Sequence, residues 1–478
     1  MTATSHPAYI RRMDTVRLRR VRDGLRAAGF TAAAAGGAFG HELGAASRAA
    51  ERPLQQRRLD TVEPRLATAL GFFVLELPAE PDELDRTLAP ASADDLVELG
   101  LAEEHDGALR ATVRVLPHDP LLIAADVTRR TDRADLVTGV TRPTTLLGQM
   151  TVRRPVRKAL DLGTGNGILA LLCSACAEQV VATDINEHAL ELGELNAALN
   201  GIENVEFRLG SFLEPVEGET FDLIVSNPPY VISPETEFLY RDAGLPGDGL
   251  SEQVTRMLPA ALAEGGFASF TISWIAGDDE IEERPRRWLE GAGCDAWLFH
   301  TTSDDPLTTA AMWNKSVTDP DEYGAVMDRW VEWYAAQGIT QLAYGVCVLR
   351  RRSGANWFRS SKLPAGSVGD ASGHLLRLFQ AQDFLSATPD LAVASLAPAD
   401  DVVVEHALRR HEGAWAATGT QLRLDGGLGF TAALDGASSA VLSALDGRPL
   451  RGLVDAEHEA AALELVRRLV ELGFVVPA

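Results

Sequence analysis

The chain has 478 residues with ordinary globular composition, 46% hydrophobic and 23% charged, and this length exceeds what one hydrophobic core serves, so we expect about two to four domains. No apolar run reaches the ~20 residues of a membrane span, and the N-terminal stretch MTATSHPAYIRRMDTVRLRR lacks the apolar core of a secretory signal. The formal net charge of −24 argues against non-specific binding to phosphate backbones.

The N-terminal segment is basic although the whole chain is acidic. Residues 1–70 hold 12 Arg against 6 Asp and Glu, a local charge of +6 that leaves −30 for the rest. The patterns predict one helix over 14–28 and another over 66–77. Residues 93–116 are predicted to form a helix followed by a pair of strands. Helices followed by a two-stranded ribbon predict a winged-helix-like domain over residues 1–127. The arginines fit either a solvated helix face or a contact with nucleic acid.

From residue 140 to 352, short apolar runs alternate with helical stretches. The predicted strands are 158–163, 180–184, 205–209, 221–227, 267–275, 294–302 and 342–351. Such alternation is typical of α/β proteins with a parallel sheet covered on both faces. We therefore predict a Rossmann-like, seven-stranded, mostly parallel sheet over 140–352. In residues 370–478 the alternation of strands and helices stops. This change of pattern predicts a separate small α+β domain, which in one interpretation is also winged-helix-like.

The first chemical motif is DLGTGNG, which begins at Asp161 and continues through Gly163, Gly165 and Gly167. Glycines let backbone amides approach a ligand closely and adopt positive φ. The spacing differs from the G-x-G-x-x-G of dinucleotide folds, so the turn alone fits a plain tight turn equally well. Asp184 ends the next predicted strand, where an acid can accept both hydroxyls of a ribose or cap the following helix. Together these features favour a nucleoside ligand.

The second motif is NPPY, which begins at Asn227 and ends at Tyr230, where the fourth predicted strand stops. Pro228 cannot donate a backbone hydrogen bond, and Pro229 biases its predecessor away from helix, so the turn is stiff. The Asn227 side-chain oxygen and the Pro228 carbonyl offer two acceptors to one NH2 group. Tyr230 offers a face for a planar group to stack on. The motif therefore predicts a site for a flat amide or an exocyclic base amine.

DLGTGNG, the strand-end Asp184 and NPPY, in this order, resemble the class I S-adenosylmethionine-dependent N-methyltransferases, in particular the HemK/PrmC-like protein-glutamine methyltransferases. TRPTTLL, residues 141–147, and PGDGL, which begins at Pro246, are similar to further segments of that family. The resemblance covers roughly 140–352 and leaves the flanking domains outside it. It implies S-adenosyl-L-methionine as the cofactor and a planar nitrogen as the methyl acceptor.

The resemblance also implies roles for individual residues. Asp161 and the amides of the glycine turn would hold the amino-acid portion of the cofactor, and Asp184 would bind its ribose hydroxyls. Related enzymes commonly carry Asp at the position of Ser211, so the contact to the adenine amine falls to Ser211 or to the Phe212 backbone. The implied cofactor-binding residues are Asp161, Gly163, Thr164, Gly165, Gly167, Asp184, Ile185, Ser211, Phe212 and Asn227. The implied catalytic residues are Asn227, Pro228 and Tyr230.

Three functions fit the sequence. The negative charge of the chain outside residues 1–70 favours a protein-glutamine methyltransferase. An rRNA or tRNA base N-methyltransferase would use the basic N-terminal segment to hold RNA, and a non-catalytic scaffold would only bind the cofactor. Four cysteines in so long a chain favour reduced thiols and a cytoplasmic location. Cys173 and Cys176 are predicted as buried thiols inside one apolar helix, and we predict no metal site. Oligomeric state is not predicted.

Overall fold

The computed structural model describes residues 13–40, 52–130, 134–235, 247–277, 280–315, 317, 319–364, 366, 368–411, 413–453 and 457–478. Residues 1–12 and 41–51 of the basic N-terminal segment lie outside these ranges. Residues 236–246, which follow NPPY and include Pro246, lie outside them as well. The chain forms two compact units, one of residues 1–148 with 155–360 and one of residues 149–154 with 361–478.

The N-terminal part of the first unit is mainly helical. Its elements are α1 (Thr15–Ala27), α2 (Ala32–Phe39), α3 (Arg52–Leu59), α4 (Pro64–Phe73), α5 (Pro81–Leu88), α6 (Ala93–Glu98), β1 (Ala102–His105), β2 (Ala108–Ala111), β3 (Val113–His118) and β4 (Leu121–Asp126). The predicted helix over 14–28 is confirmed as α1, which begins where the Asp14 side chain accepts hydrogen bonds from the first-turn amides. The helix predicted over 66–77 is α4, which begins earlier because Pro64 occupies its first turn.

The central part of the first unit alternates strands and helices. Its elements are α7 (Arg142–Gln149), β5 (Val156–Leu162), α8 (Ile168–Cys173), β6 (Ala177–Asp184), α9 (Glu187–Asn200), β7 (Val205–Leu209), β8 (Phe221–Ser226), α10 (Gly249–Ala261), β9 (Leu262–Ala276), α11 (Glu283–Trp288), β10 (Cys294–Asp304), α12 (Pro306–Trp313), α13 (Pro320–Ala336), β11 (Gln341–Arg351) and β12 (Phe358–Lys362).

One helix prediction is wrong in its extent. α8 ends at Cys173, so Cys176 lies beyond the helix rather than inside it. The reason is that β6 already begins at Ala177, which pairs with Val156 of β5, so the chain has to turn directly after the helix. Cys173 is a buried thiol and Cys176 is a half-buried one.

A central sheet organises the first unit, with the strand order β12-β10-β11-β9-β8-β5-β6-β7. β5 to β9 pair in parallel, and β11 pairs antiparallel with both β9 and β10. All seven predicted strands are present. The sheet has an eighth strand, β12, whose sequence FRSSK is too polar to stand out as an apolar run. The mostly parallel α/β architecture is as predicted.

The strand order places a crevice beside β5. Strands β6 and β7 follow on one side of β5, whereas β8 and β9 lie on the other, and ligands bind at such a switch point in open α/β sheets. Leu162 in β5 is paired with Ser226 in β8. Gly163 and Asn227 therefore leave neighbouring strands side by side, with Asp184 at the end of β6 on the other side of β5.

The N-terminal part packs on α9. Leu18 and Leu25 of α1 share an apolar core with Leu192 of α9. The Asn196 side chain in α9 bonds the edge of β4, because its Oδ1 accepts from the Ala124 amide at 2.6 Å and its Nδ2 donates to the Ala124 carbonyl at 3.0 Å. The predicted division into domains, and their winged-helix-like character, stay predictions.

The second unit mixes helices and short strands. Its elements are α14 (Ser372–Ala387), β13 (Leu396–Pro398), β14 (Val402–His411), β15 (Ala414–Leu424), β16 (Thr431–Leu434), α15 (Gly436–Ala444), α16 (Glu459–Glu471) and β17 (Val475–Pro477). β14, β15 and β16 form one antiparallel sheet and β13 pairs with β17. In both units, no helix within the described ranges combines the length and apolar character that a bilayer crossing requires.

Candidate functional site

A cavity of about 500 Å³ lies at the carboxyl ends of β5, β6 and β8. Ligand sites in proteins typically enclose about 300–1,000 Å³. Most of the predicted site residues line it: Gly163, Thr164, Gly165, Asp184, Ile185, Ser211, Phe212, Asn227, Pro228 and Tyr230. Asp161 and Gly167 are absent from its described lining. The structure therefore brings the two sequence motifs to one place.

The glycines of the turn are required for different reasons. Gly163 has φ of 71° and Gly165 has φ of 55°, and a Cβ at either position would meet nothing within 4 Å. Their backbone conformation, not lack of space, demands glycine. Gly167 has φ of 83°, and its Cβ would come within 3.1 Å of the Gly193 Cα in α9. Gly167 thus serves the close approach of α8 to α9.

Asp161 lies beneath the turn and is fully buried. Its Oδ2 accepts from the Thr164 hydroxyl at 2.6 Å and from the Ala170 amide at 2.8 Å. Its Oδ1 is buried and has no hydrogen-bond partner among the described residues. Burial raises the pKa of Asp161 to about 7. The carboxyl group therefore supports the turn and keeps one acceptor atom for a further donor.

Asp184 ends β6 with its carboxylate at the cavity. Its Oδ2 accepts from the Gly165 amide at 2.8 Å, and its Oδ1 accepts from the Asn186 amide at 2.9 Å. Burial raises the pKa of Asp184. The helix-cap alternative is wrong for this residue: Asn186 caps α9 by accepting from the His188 amide at 3.1 Å. The Asp184 carboxylate keeps at least one acceptor position for a ligand hydroxyl.

The cavity lining also includes an exposed apolar residue and a residue with a strained backbone. Ile185 is 63% exposed, which is unusual for a large aliphatic side chain. Phe212 has φ of 47°, a left-handed conformation that is uncommon for residues other than glycine and clusters at binding sites. It follows Ser211 in the loop after β7, and both residues line the cavity.

The Asn227 carboxamide is held by two threonine hydroxyls. Its Oδ1 accepts from the Thr271 hydroxyl at 2.7 Å, and its Nδ2 donates to the Thr144 hydroxyl at 3.1 Å. Thr144 in turn lies 2.8 Å from the Thr141 hydroxyl. These two contacts hold the plane of the amide in place. A carbonyl oxygen accepts two hydrogen bonds, so Oδ1 keeps one position for another donor.

Tyr230, which lines the cavity, belongs to an aromatic cluster. Its ring meets Trp313 of α12 at 6.3 Å with an interplanar angle of 75°, and Tyr344 of β11 at 6.4 Å and 66°. The backbone carbonyl of Tyr230 accepts from the Ser273 hydroxyl. Burial raises the pKa of Tyr230, so the phenol stays neutral at physiological pH.

Sequence reasoning missed three residues of this site. Thr144 and Trp313 line the cavity, and Thr271 lies behind Asn227. Thr144 lies in the TRPTTLL segment, but nothing in that pattern indicates a role for its hydroxyl. Thr271 and Trp313 carry no local signal, because their positions depend on strand pairing far from either motif.

Residues 139–240 match the methyltransferase small domain family. The matched stretch contains the glycine turn, Asp184 and Asn227, and it ends before α10. A separate match assigns residues 27–112, in the N-terminal part, to a domain of unknown function, DUF7059.

Part of the chain is also similar to curated proteins. A release factor glutamine methyltransferase of Xylella fastidiosa is 38% identical over 133 residues, which cover 25% of this chain and 48% of the relative. The ribosomal protein uL3 glutamine methyltransferase of Neisseria meningitidis is 32% identical over 167 residues, 32% of this chain and 55% of the relative. The chain spans about half the length of these curated relatives.

Solved structures give a weaker likeness. The ribosomal protein L11 methylase of Lactobacillus delbrueckii subsp. bulgaricus is 21% identical with a TM-score of 0.27, and the match covers 45% of this chain and 81% of that one.

Proposed function

We propose that the chain is an S-adenosylmethionine-dependent methyltransferase that methylates a planar nitrogen, most favourably the side-chain amide of glutamine in a protein. The observation that carries the proposal is the oriented Asn227 carboxamide, which shares one cavity with the glycine turn and Asp184. The methyltransferase small domain match and the two relatives named as glutamine methyltransferases support it.

The cavity residues fit the proposed cofactor. Asp184 presents carboxylate oxygens suited to ribose hydroxyls, and the exposed Ile185 side chain offers an apolar surface for the adenine. Gly163 and Gly165 leave open space over their backbone. Oδ1 of Asp161 is a buried acceptor that suits an ammonium group. When bound, the cofactor supplies a methyl group on an electrophilic sulfonium.

Adenine would pack near the strained loop after β7. The Ser211 hydroxyl or the Phe212 backbone would bind its exocyclic amine, in place of the Asp that related enzymes commonly carry. Both residues line the cavity. Thr164 lines it as well, and its hydroxyl also supports the turn by donating to Asp161.

Asn227 and Pro228 would orient the accepting nitrogen. An amide nitrogen is a poor nucleophile because its lone pair is delocalised. Hydrogen bonds from its N–H groups to Asn227 Oδ1 and to the Pro228 carbonyl increase electron density on nitrogen and stabilise the positive charge that develops during transfer. The ring of Tyr230 would stack on the plane of the amide. Fixed orientation of the acceptor is worth up to about 7–11 kcal/mol in favourable intramolecular cases.

The RNA alternative has less support from the basic N-terminal segment. Arg17 in α1 is paired with the Asp95 carboxylate at 2.7 Å, and Arg52 approaches Glu76 at 3.7 Å. Arg65 donates to the Thr87 carbonyl at 2.8 Å. These arginines serve contacts within the first unit, which leaves fewer of them to neutralise phosphates. A protein acceptor remains the favoured partner.

The scaffold alternative leaves the Asn227 clamp without a purpose. Binding a cofactor requires the glycine turn and Asp184, but not an amide held by two hydroxyls at the acceptor end.

The four cysteines Cys173, Cys176, Cys294 and Cys347 are thiols, in keeping with the proposed cytoplasmic location.

Transfer of labelled methyl in a cell lysate tests the proposal. The protein is incubated with S-[methyl-³H]adenosylmethionine and lysate, and the products are split for RNase or protease treatment. Label that survives RNase and is lost to protease supports a protein acceptor. Label lost to RNase supports the RNA alternative, and no label above a protein-free control contradicts methyl transfer.

A further inference from the structure

Two helices are inserted where the sheet needs only a short connection. β10 and β11 are antiparallel neighbours, which a tight hairpin of about two residues can join. Here residues 305–340 separate them and form α12 and α13. The insertion lies outside both sequence motifs and outside the methyltransferase small domain match. The insertion is therefore not needed to connect the two strands, and another role has to be sought for it.

The insertion is bonded to the segment that follows NPPY. In α13, the Tyr334 hydroxyl donates to the Ile232 carbonyl at 2.7 Å. The indole nitrogen of Trp330 donates to Glu235 at 3.0 Å, and Arg329 pairs with the same carboxylate at 2.6 Å. Trp330 and Tyr334 are fully buried. The insertion is thus a fixed part of the acceptor end of the cavity.

Trp313, the last residue of α12, brings the insertion into the cavity lining. It meets the Tyr230 ring edge-on, and its indole nitrogen donates to the Tyr344 hydroxyl at 3.4 Å. Tyr344 also meets the Tyr230 ring edge-on. Edge-to-face aromatic pairs are favourable by about 0.5–1.5 kcal/mol each. Two such contacts hold the plane of the Tyr230 ring.

The charge of the lining limits which acceptor this corner accommodates. Among the described lining residues, Asp184 carries the charge, and no lysine, arginine or histidine is present. A phosphate or carboxylate placed there would lose its hydration without gaining a cation, which is costly. A flat uncharged group loses far less and gains aromatic contacts.

Building on the proposed function, we infer that α12 and α13 form the acceptor wall of the site and that Trp313 is a specificity-determining residue that selects a flat, uncharged carboxamide. The carboxamide lies between Asn227 and the aromatic corner of Tyr230, Trp313 and Tyr344. A nucleotide base is a poorer occupant, because its attached phosphates find no cation in the described lining.

Methyl transfer by Trp313→Ala and Trp313→Phe tests this assignment. Nuclease-treated lysate protein at graded concentration serves as the acceptor, and S-adenosylhomocysteine affinity is measured by titration calorimetry. Trp313→Ala should raise the half-saturating acceptor concentration at least about fivefold, the size of one lost aromatic contact. The rate at saturating acceptor and the S-adenosylhomocysteine affinity should stay within about twofold. Trp313→Phe should recover most of the loss.

Trp333→Phe is the matched control, because Trp333 packs in the same apolar cluster but does not line the cavity. It should behave as wild type. An unchanged half-saturating concentration in Trp313→Ala overturns the assignment, as does an equal loss of S-adenosylhomocysteine affinity.

Tryptophan fluorescence separates this inference from the proposed function. With S-adenosylhomocysteine saturating, N-acetyl-L-glutamine amide should change the emission of wild type and Trp333→Phe but not of Trp313→Phe. The glutamate counterpart and cytidine should have no effect. If wild type transfers no methyl to any acceptor, the proposed function fails, but the fluorescence response to the amide still tests whether Trp313 contacts the carboxamide. A response that does not distinguish the amide from the other two compounds, or one that survives in Trp313→Phe, overturns the assignment of Trp313.

Discussion

The Thr271 hydroxyl donates to the side-chain oxygen of Asn227 at 2.7 Å. The contact follows from the sheet: β8 and β9 are parallel neighbours, and their register pairs Ser226 with Phe270. The next residues along each strand, Asn227 and Thr271, therefore lie side by side. The orientation of the proposed catalytic amide is thus set by strand pairing as much as by the NPPY turn.

Thr271→Val should weaken catalysis without weakening cofactor binding. Valine matches threonine in shape but cannot donate, so Asn227 loses one of the two contacts that hold its amide. We expect turnover to fall about 3- to 10-fold, the size of one lost neutral hydrogen bond. Turnover is measured by tritiated-methyl transfer and S-adenosylmethionine affinity by calorimetry. Thr271→Ser, which restores the hydroxyl, should recover activity; equal losses in both variants would count against a positioning role.

Asp184→Asn should weaken cofactor binding. The change removes the charge of a group proposed to accept two ribose hydroxyls, and hydrogen bonds to charged groups are worth about 1.5–3 kcal/mol. We expect the Kd for S-adenosylmethionine to rise about 10- to 100-fold. Asp222→Asn is the matched control, because Asp222 also accepts from two backbone amides, at 3.2 Å and 3.1 Å, but does not line the cavity. Similar losses in both variants would contradict the ribose contact.

Much of the fold was predictable because its signals are local. Apolar runs mark the strands, and the glycine turn and Asn227 both follow strand ends, so a parallel sheet brings them to one edge. Residue burial was less predictable: no local signal indicates that Asp161 lies fully buried beneath the turn. The polar strand β12 and the early end of α8 at Cys173 also depend on strand pairing rather than on local pattern.

The aromatic corner could not be predicted from either motif. Trp313 is far along the chain from Tyr230, and only the antiparallel pairing of β10 and β11 with the rest of the sheet brings α12 to the cavity. The threonine pair around Asn227 is similar, since Thr144 and Thr271 lie on different elements. Contacts of this kind become visible once the strand order is known.

Asp161→Asn should change how stability depends on pH. Burial raises the pKa of Asp161 to about 7, against about 3.9 in an unfolded chain. Between these values the folded state keeps a proton that the unfolded state has lost. Its contribution to the free energy of unfolding therefore falls as pH rises from about 4 to about 7 and then levels off.

The variant removes this titration. Urea unfolding at pH 5 and at pH 8 should show a smaller pH-dependent drop in the free energy of unfolding for Asp161→Asn than for wild type. An identical drop in the two proteins would show that Asp161 does not titrate in this range.

Arg17→Gln should lower stability rather than RNA binding. The side chain of Asp95 is 3% exposed and accepts from Arg17 at 2.7 Å, so loss of the cation leaves a buried carboxylate less well compensated. We expect a lower free energy of unfolding, measured by urea denaturation. Arg19→Gln, at an exposed position on the same helix, is the control and should have little effect. If both variants lower retention of total cellular RNA while stability is unchanged, the RNA alternative gains support.

Asn227→Ala gives the most direct test of the central claim, that a fixed carboxamide at the end of β8 orients the accepting nitrogen. Calorimetric titration with S-adenosylmethionine and tritiated-methyl transfer to lysate protein are run on the same preparation. We expect the Kd to change less than about threefold while turnover falls at least about 100-fold, as when one preorganised hydrogen-bonding group is removed. Turnover close to that of wild type, with the cofactor still bound, would contradict the claim.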